Sequence, residues 1–180
     1  MLNDGGSTAR TRVTRARPGL ALAIALGVVA ADQLSKLWAV RELPDAPVSI
    51  VGDTISFRLA RNTGGAFSLF QAFTPLLAVV AIVVAFFLVR AVRNAEDTLN
   101  VVALSLILGG AIGNLLDRVF RSPGFMRGGV IDFVHIGAWP TFNVADSSIT
   151  IGAILLVVWV FRTEKPESRK SEAHEPESHE

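Results

Sequence analysis

The chain has 180 residues, of which 51% are hydrophobic, with a mean hydropathy of +0.46 and a formal net charge of +1. This composition is too apolar for an ordinary soluble domain and indicates an integral membrane protein. The chain has no cysteine, which excludes disulfides, thiolate metal sites and a cysteine nucleophile, and two of its three histidines lie in a charged tail, which argues against a histidine metal centre.

Both ends of the chain are polar. Residues 1–17 are basic and show no apolar periodicity, and residues 162–180 are a low-complexity run rich in charged residues, serine and proline. We expect disordered cytoplasmic tails at 1–17 and 162–180, on either side of one membrane domain at 18–161.

The first apolar segment, residues 19–40, is long enough to cross a bilayer core of about 30 Å. Asp32 and Lys36 interrupt it, four residues apart on one helical face, which favours a structural contact between them. The basic flank and the small residues at 28–31 also resemble a cleavable signal peptide. Because apolar character resumes at 37–40, a spanning helix with one polar face fits better.

A segment outside the membrane follows. Residues 48–51 resemble a short strand, and the alternation of apolar and polar side chains over 55–60 predicts a second, so we expect a hairpin. Asn62 and the paired Gly64-Gly65 come next; the glycines permit close backbone approach, and the amide offers a donor and an acceptor. A plain loop that re-enters the membrane is the alternative.

The second and third spans are predicted at 74–89 and 99–116. The second is almost uniformly apolar and should face lipid over much of its surface. In the third, Gly109 and Gly113 form a small-xxx-small pair that permits close contact with another helix. Three polar residues follow on one helical face: Asn114, Asp117 and Arg118.

The fourth span is predicted at 147–161, after a loop in which residues 130–136 fit a short strand carrying Asp132. Asn143 and Asp146 lie just before this span. The expected fold is therefore an all-α integral membrane protein with four spans and a small extracytoplasmic β-hairpin or sheet. The basic residues at both ends and between spans two and three place both termini in the cytoplasm, so the polar residues of the spans converge on the outer leaflet.

Clustered ionisable groups at membrane depth indicate a functional site, because they are costly there. Two carboxylates in one low-dielectric site do not both ionise easily, so one keeps a proton while the other stays charged. This arrangement suits the hydrolysis of an amide: the ionised carboxylate takes a proton from water, and the protonated one polarises the scissile carbonyl.

Each candidate also has a purely structural interpretation. Asp146 can be the N-cap of the last helix, and Asp117 can form an ion pair with Arg118. Asp132 can be solvated and inert. The asparagines can serve only to satisfy backbone groups near helix ends: Asn62, Asn114 and Asn143.

Five short strings nevertheless occur in order at membrane-compatible spacing: DQLSK at 32–36, RNTGGAF at 61–67, GNLLDR at 113–118, VIDF at 130–133 and FNVADS at 142–147. Together they resemble the motif set of the bacterial lipoprotein signal peptidases, also called signal peptidase II, over roughly residues 19–161. The paired glycines at 64 and 65 are a mild departure, since many relatives have Gly-Ala there.

The resemblance implies a four-span aspartyl endopeptidase that removes the signal peptide of prolipoproteins just before a lipid-modified cysteine. It implies that Asp132 and Asp146 are the catalytic pair, without metal or cofactor. Other matched positions would bind substrate or support the pair: Asn62, Asn114, Arg118, Asn143, Asp32, Lys36, Asp117 and Gly64. The expected partners are lipid-modified prolipoproteins and membrane lipids, not nucleic acid, and the expected state is a monomer.

Two other functions compete with this one. A proton-coupled transporter would use Asp32, Asp117 and Asp146 as a relay, but it would place acids at several depths. A non-enzymatic scaffold would use the polar residues only to pair helices.

Overall fold

The computed structural model describes residues 17–43, 46–52, 54–63 and 74–163. Four helices and three strands lie within these ranges: α1 (Pro18–Glu42), β1 (Val48–Val51), β2 (Ile55–Asn62), α2 (Thr74–Asn94), α3 (Thr98–Phe120), β3 (Val130–Ile136) and α4 (Val144–Thr163). All four helices are long and apolar enough to cross a membrane, which confirms the four predicted spans. Gly64 and most of both expected tails lie outside the described residues.

Two helices extend beyond their predicted ends, toward the polar cluster. α3 continues to Phe120, so Asp117 and Arg118 lie inside the helix and not after it. α4 begins at Val144, so Asp146 lies in its first turn and not before it. Apolar run length underestimated both helices, because a helix continues wherever its backbone groups are bonded, whether or not its side chains are apolar.

α3 is the central helix and contacts the other three. Its glycines allow this: a side chain at Gly109 would meet Val28 of α1, and one at Gly110 would meet Ala145 of α4. Gly113 likewise faces α1, so the predicted small-xxx-small contact is confirmed. In contrast, most apolar side chains of α2 are exposed, as expected for a helix that faces lipid.

The strands form one antiparallel sheet in the order β1-β2-β3, which confirms the hairpin and the strand that carries Asp132. Ala60 pairs with Asp132 and Asn62 with Val130. Because side chains alternate between the two faces of a strand, Asn62 and Asp132 lie on the same face as diagonal neighbours.

An aromatic cluster fixes this sheet to the end of α1. The ring of Trp38 meets Phe57 of β2 edge-on at a centroid distance of 5.5 Å and Phe133 of β3 at 6.1 Å. Such contacts add to the energy of apolar burial. They hold β3, and with it Asp132, against the helix bundle.

Candidate active site

Asp132 is buried in the middle of β3, with 3% of its surface exposed. Its Oδ1 accepts a hydrogen bond of 2.7 Å from Asn143 Nδ2, and the side chain of Asn62 also hydrogen-bonds to it. Burial, followed by the negative charge of Asp146, raises the pKa of Asp132 to about 7, while the two amide hydrogen bonds lower it. Asp132 therefore exchanges a proton near neutral pH.

Asp146 lies in the first turn of α4 and forms a reciprocal pair with Asn143. The Asp146 backbone N–H donates to Asn143 Oδ1 at 2.9 Å, and the Asn143 backbone N–H donates to Asp146 Oδ2 at 3.2 Å. This is a capping box, in which Asn143 occupies the cap position. The interpretation of Asp146 as the N-cap is therefore wrong, because the helix starts three residues earlier than its apolar character.

Asn114 of α3 connects the two halves of the site. Its Nδ2 donates to Asp146 Oδ1 at 2.8 Å, and its Oδ1 accepts from Asn143 Nδ2 at 3.1 Å. Since Asn143 also donates to Asp132, a continuous chain of hydrogen bonds runs from one acid to the other through two amides. The three asparagines singled out from the sequence thus all contact one or both acids, which exceeds the role of satisfying helix ends.

Both acids line one cavity of about 330 Å³ at the end of the bundle where the sheet lies. Its wall is formed by Asn62, Asn114, Arg118, Val130, Asp132, Trp139, Pro140, Thr141, Phe142 and Asp146. Segments remote in sequence are therefore brought together here. The loop residues from Trp139 to Phe142 were not predicted as site residues, although a Trp-Pro pair beside a polar cluster is a usable signal of an interfacial wall.

Arg118 lines this cavity, and its Nη1 is buried without a hydrogen-bond partner among the described residues. The ion pair expected between Asp117 and Arg118 is not formed. Asp117 instead pairs with Lys36 and Arg121, because consecutive residues of a helix point about 100° apart. Arg121 was missed, although its i, i+4 spacing from Asp117 is a recognised signal.

Behind the cavity lies a second, fully buried group of charges. Lys36 Nζ lies 2.8 Å from Asp32 and 2.8 Å from Asp117, and all three side chains have 0% exposed surface. This confirms the structural contact predicted between Asp32 and Lys36. Gln33, which was not singled out, donates to both carboxylates at 3.1 and 3.3 Å.

Among the residues that the structure describes, no group of three or more histidine, aspartate or glutamate side chains is placed to hold a metal ion. The ionisable and amide groups that line the cavity are two carboxylates, two amides and one guanidinium. A buried acid that exchanges a proton near neutral pH beside a second acid can support general acid–base catalysis.

Comparison with known proteins identifies the family. The family model for signal peptidase (SPase) II matches residues 24–162. A lipoprotein signal peptidase of Rhodococcus jostii (strain RHA1) is 48% identical over 157 residues, which are 87% of this chain and 79% of the relative. A lipoprotein signal peptidase of Mycobacterium avium (strain 104) is 47% identical over 156 residues, 85% of each chain.

Two solved structures described as bacterial membrane enzymes have the same fold. One superposes with a TM-score of 0.74 at 26% identity, and the match covers 91% of this chain and 98% of the chain in that structure. The other has a TM-score of 0.72 at 27% identity and covers 83% and 97%. Since the family model spans most of the chain and the relatives are nearly half identical over most of their length, the chain belongs to the signal peptidase II family of membrane proteases.

Proposed function

We propose that this protein is an aspartic endopeptidase that cleaves the signal peptide from diacylglyceryl-modified prolipoproteins just before the lipidated cysteine. The single observation that carries the aspartic mechanism is the shared cavity of Asp132 and Asp146, joined by a chain of amide hydrogen bonds. The substrate class follows from the family, whose relatives are named for it.

In this mechanism the two acids share one proton. The ionised carboxylate accepts a proton from a water molecule, which attacks the scissile carbonyl, while the protonated carboxyl donates a hydrogen bond to the carbonyl oxygen. The scissile C–N bond then breaks, the carboxyl that took a proton from water passes that proton to the leaving amine nitrogen, and the pair returns to its singly protonated state. Asn114 and Asn143 hold the acids in place, and the guanidinium of Arg118 and the amide of Asn62 are positioned to bind the substrate backbone.

An adjoining apolar cavity supports the proposal that the substrate carries a lipid. It has a volume of about 740 Å³ and shares Trp139, Phe142 and Asp146 with the polar cavity. The remaining wall is Ile136, Ala138, Ser147, Thr150 and Ile151. An acyl chain attached beside the scissile bond would find an apolar wall here, directly next to the acids.

The membrane orientation is part of the proposal. Arg90 and Arg93 lie at the end of α2 remote from the acids, where the positive-inside rule places the cytoplasm. Both termini of a four-span chain then lie on that side, and the candidate site lies on the extracytoplasmic side. We further propose that the enzyme acts as a monomer without a cofactor, since all the proposed catalytic groups come from one chain.

The test is cleavage of a fluorogenic, diacylglyceryl-modified prolipoprotein peptide by the purified protein in detergent or vesicles. We expect the Asp132→Asn and Asp146→Asn variants to fold and to lose at least ~10³-fold in kcat, since each removes one of two cooperating groups. Asp97→Asn is the matched control, because Asp97 caps α3 at the other end of the bundle and asparagine caps equally well.

Retained cleavage in either dyad variant would exclude the aspartic mechanism. No cleavage by the wild type in the same assay would favour the scaffold. Proton flux into vesicles that is lost in Asp146→Asn, without cleavage, would favour the transporter.

A further inference from the structure

Lys36 occupies a fully buried position one layer behind the candidate active site. Its Nζ contacts three oxygens: Asp32 Oδ2 at 2.8 Å, Asp117 Oδ2 at 2.8 Å and Asn114 Oδ1 at 2.9 Å. An ammonium has three N–H donors and no acceptor, so these contacts use its whole capacity. The ammonium of Lys36 is therefore held by three oxygens, one on its own helix α1 and two on α3.

The two carboxylates bound by Lys36 each accept one backbone N–H from a distant segment. Asp32 Oδ1 accepts from Ala145 at 2.9 Å, and Asp117 Oδ2 accepts from Ile131 at 3.1 Å. Ala145 directly precedes Asp146, and Ile131 directly precedes Asp132. The ammonium of Lys36 thus connects, through two carboxylates, the backbone of β3 beside Asp132 with the backbone of α4 beside Asp146.

The third contact of Lys36 acts on the dyad through an amide. Because an ammonium can only donate, it requires the oxygen of the Asn114 side chain to face it. The nitrogen of that amide then faces Asp146, to which it donates at 2.8 Å. Rotation of the amide by 180° would place a donor against Lys36 and an acceptor against the carboxylate, so Lys36, together with Asn143 Nδ2, selects the orientation that supports Asp146.

We propose that Lys36 is a positioning residue of the peptidase, which fixes the spacing of Asp132 and Asp146 and the orientation of Asn114. The inference rests on the proposed function and extends it to a residue that does not touch the substrate cavity. Its role is geometric and not simply stabilising: a buried ion pair can often be replaced by apolar side chains of similar volume without loss of stability. Catalytic groups, in contrast, must be held within about 0.5 Å of their productive positions.

The decisive variant is charge-balanced. In Asp32→Asn/Lys36→Met one buried positive and one buried negative charge are removed together, so Asp117 keeps Arg121 as its counter-ion. Asparagine at position 32 still offers an oxygen to the Ala145 N–H, but the link to Asp117 and one of the two donors that face Asn114 Oδ1 are lost. We expect kcat to fall ~10²-fold, because small displacements of reacting groups have effects of this size, with KM within threefold of the wild type and an unchanged melting temperature.

Lys36→Arg is the second variant. The planar guanidinium of arginine keeps the positive charge but does not place three donors around one point, so kcat should again fall while KM stays unchanged. Ser105→Ala is the matched control, because Ser105 is equally buried in α3 but bonds only to Val101 of its own helix. We expect its kcat to equal that of the wild type.

A kcat loss at constant KM and melting temperature in either Lys36 variant supports the proposal. Wild-type kcat in both overturns it, as does failure of both to fold, because Lys36 would then act on stability alone. These outcomes differ from failure of the proposed function, in which the wild type and the Ser105→Ala control would not cleave the lipidated peptide either.

Discussion

The side-chain amide of Asn143 donates a hydrogen bond of 2.7 Å to Asp132, while the oxygen of the same amide accepts the backbone N–H of Asp146. Asn143 has no exposed surface, and its nitrogen also reaches Asn114 and the Ile131 carbonyl. One side chain therefore starts the helix that carries one acid and orients the other acid. Helix capping and dyad geometry are coupled at this residue.

Asn143→Ser separates these two tasks. Serine is as good an N-cap as asparagine, but it is too short and lacks the amide donor that reaches Asp132. We expect kcat to fall ~10²-fold with only a small change in melting temperature, because a hydrogen bond that holds a reacting group in place can lower the reaction barrier by a few kcal/mol. Asn143→Ala should lose a further ~1 kcal/mol of stability with the cap. Wild-type kcat in the serine variant would show that Asn143 is only a cap.

The pH dependence of kcat/KM should follow Asp132. Its pKa is raised from 3.8 to about 7, chiefly by burial and then by the charge of Asp146. A dyad that needs one proton loses it as the pH rises through this value, so kcat/KM should decline above a pH of about 7, by about tenfold per unit. A rate that stays flat to pH 9 would contradict the assignment.

Asn62→Leu should shift the alkaline limb of the profile, which is the decline of kcat/KM above a pH of about 7, to higher pH. The hydrogen bond from Asn62 favours the ionised form of Asp132 and so lowers its pKa. Its removal raises the pKa, and the limb should shift to higher pH. Asp97→Asn, at the other end of α3, should leave this decline at the same pH, which separates a local effect on Asp132 from a general effect of substitution.

Several elements of this fold could be predicted from the sequence because the signals are local. Run length indicated the four spans, alternation over 55–60 indicated the second strand of the hairpin, and i, i+4 spacing indicated the contact of Asp32 with Lys36. The start of α4 was also within reach, since Asn143 and Asp146 have the spacing of a capping box. The apolar run alone begins at residue 147 and therefore places the start of α4 three residues too late.

The remaining features depend on how segments meet in three dimensions. Asp117 and Arg118 are neighbours in sequence, but the helix turns the first toward α1 and the second toward the cavity. The backbone N–H groups of Ala145 and Ile131 donate hydrogen bonds to buried carboxylates only after the bundle and sheet have assembled. No periodicity in one chain encodes such contacts.

Gly110 should be intolerant of a side chain. A methyl group there would meet the backbone carbonyl oxygen of Ala145 and the side chain of Ile149, and the carbonyl cannot move without shifting the first turn of α4. We expect Gly110→Ala to lower both the melting temperature and kcat, since that turn carries Asp146. Gly27→Ala is the matched control: nothing lies within 4 Å of the added atom, and alanine favours a helix by about 0.5–1 kcal/mol. Equal melting temperatures for the two variants would contradict close packing of α3 and α4.

The hairpin at 48–60 lies just before Asn62 of the cavity wall, so we predict that it clamps the substrate peptide from above, in which case its deletion should raise KM. Deletion is an unsuitable test in this fold, because β2 pairs with β3 and its loss would release Asp132. A single contact is more informative: Arg58 Nε donates to Thr141 Oγ1 at 3.1 Å, which joins the hairpin to the wall of the cavity.

Arg58→Met and Thr141→Val each break this contact without touching the acids. If the hairpin holds the cavity wall over the substrate, each variant should raise KM about fivefold, the equivalent of one hydrogen bond of ~1 kcal/mol, with kcat unchanged. The double variant should raise KM no further, because both residues serve the same contact. Additive effects would assign the two side chains to separate interactions, and an unchanged KM in all three variants would exclude the clamp.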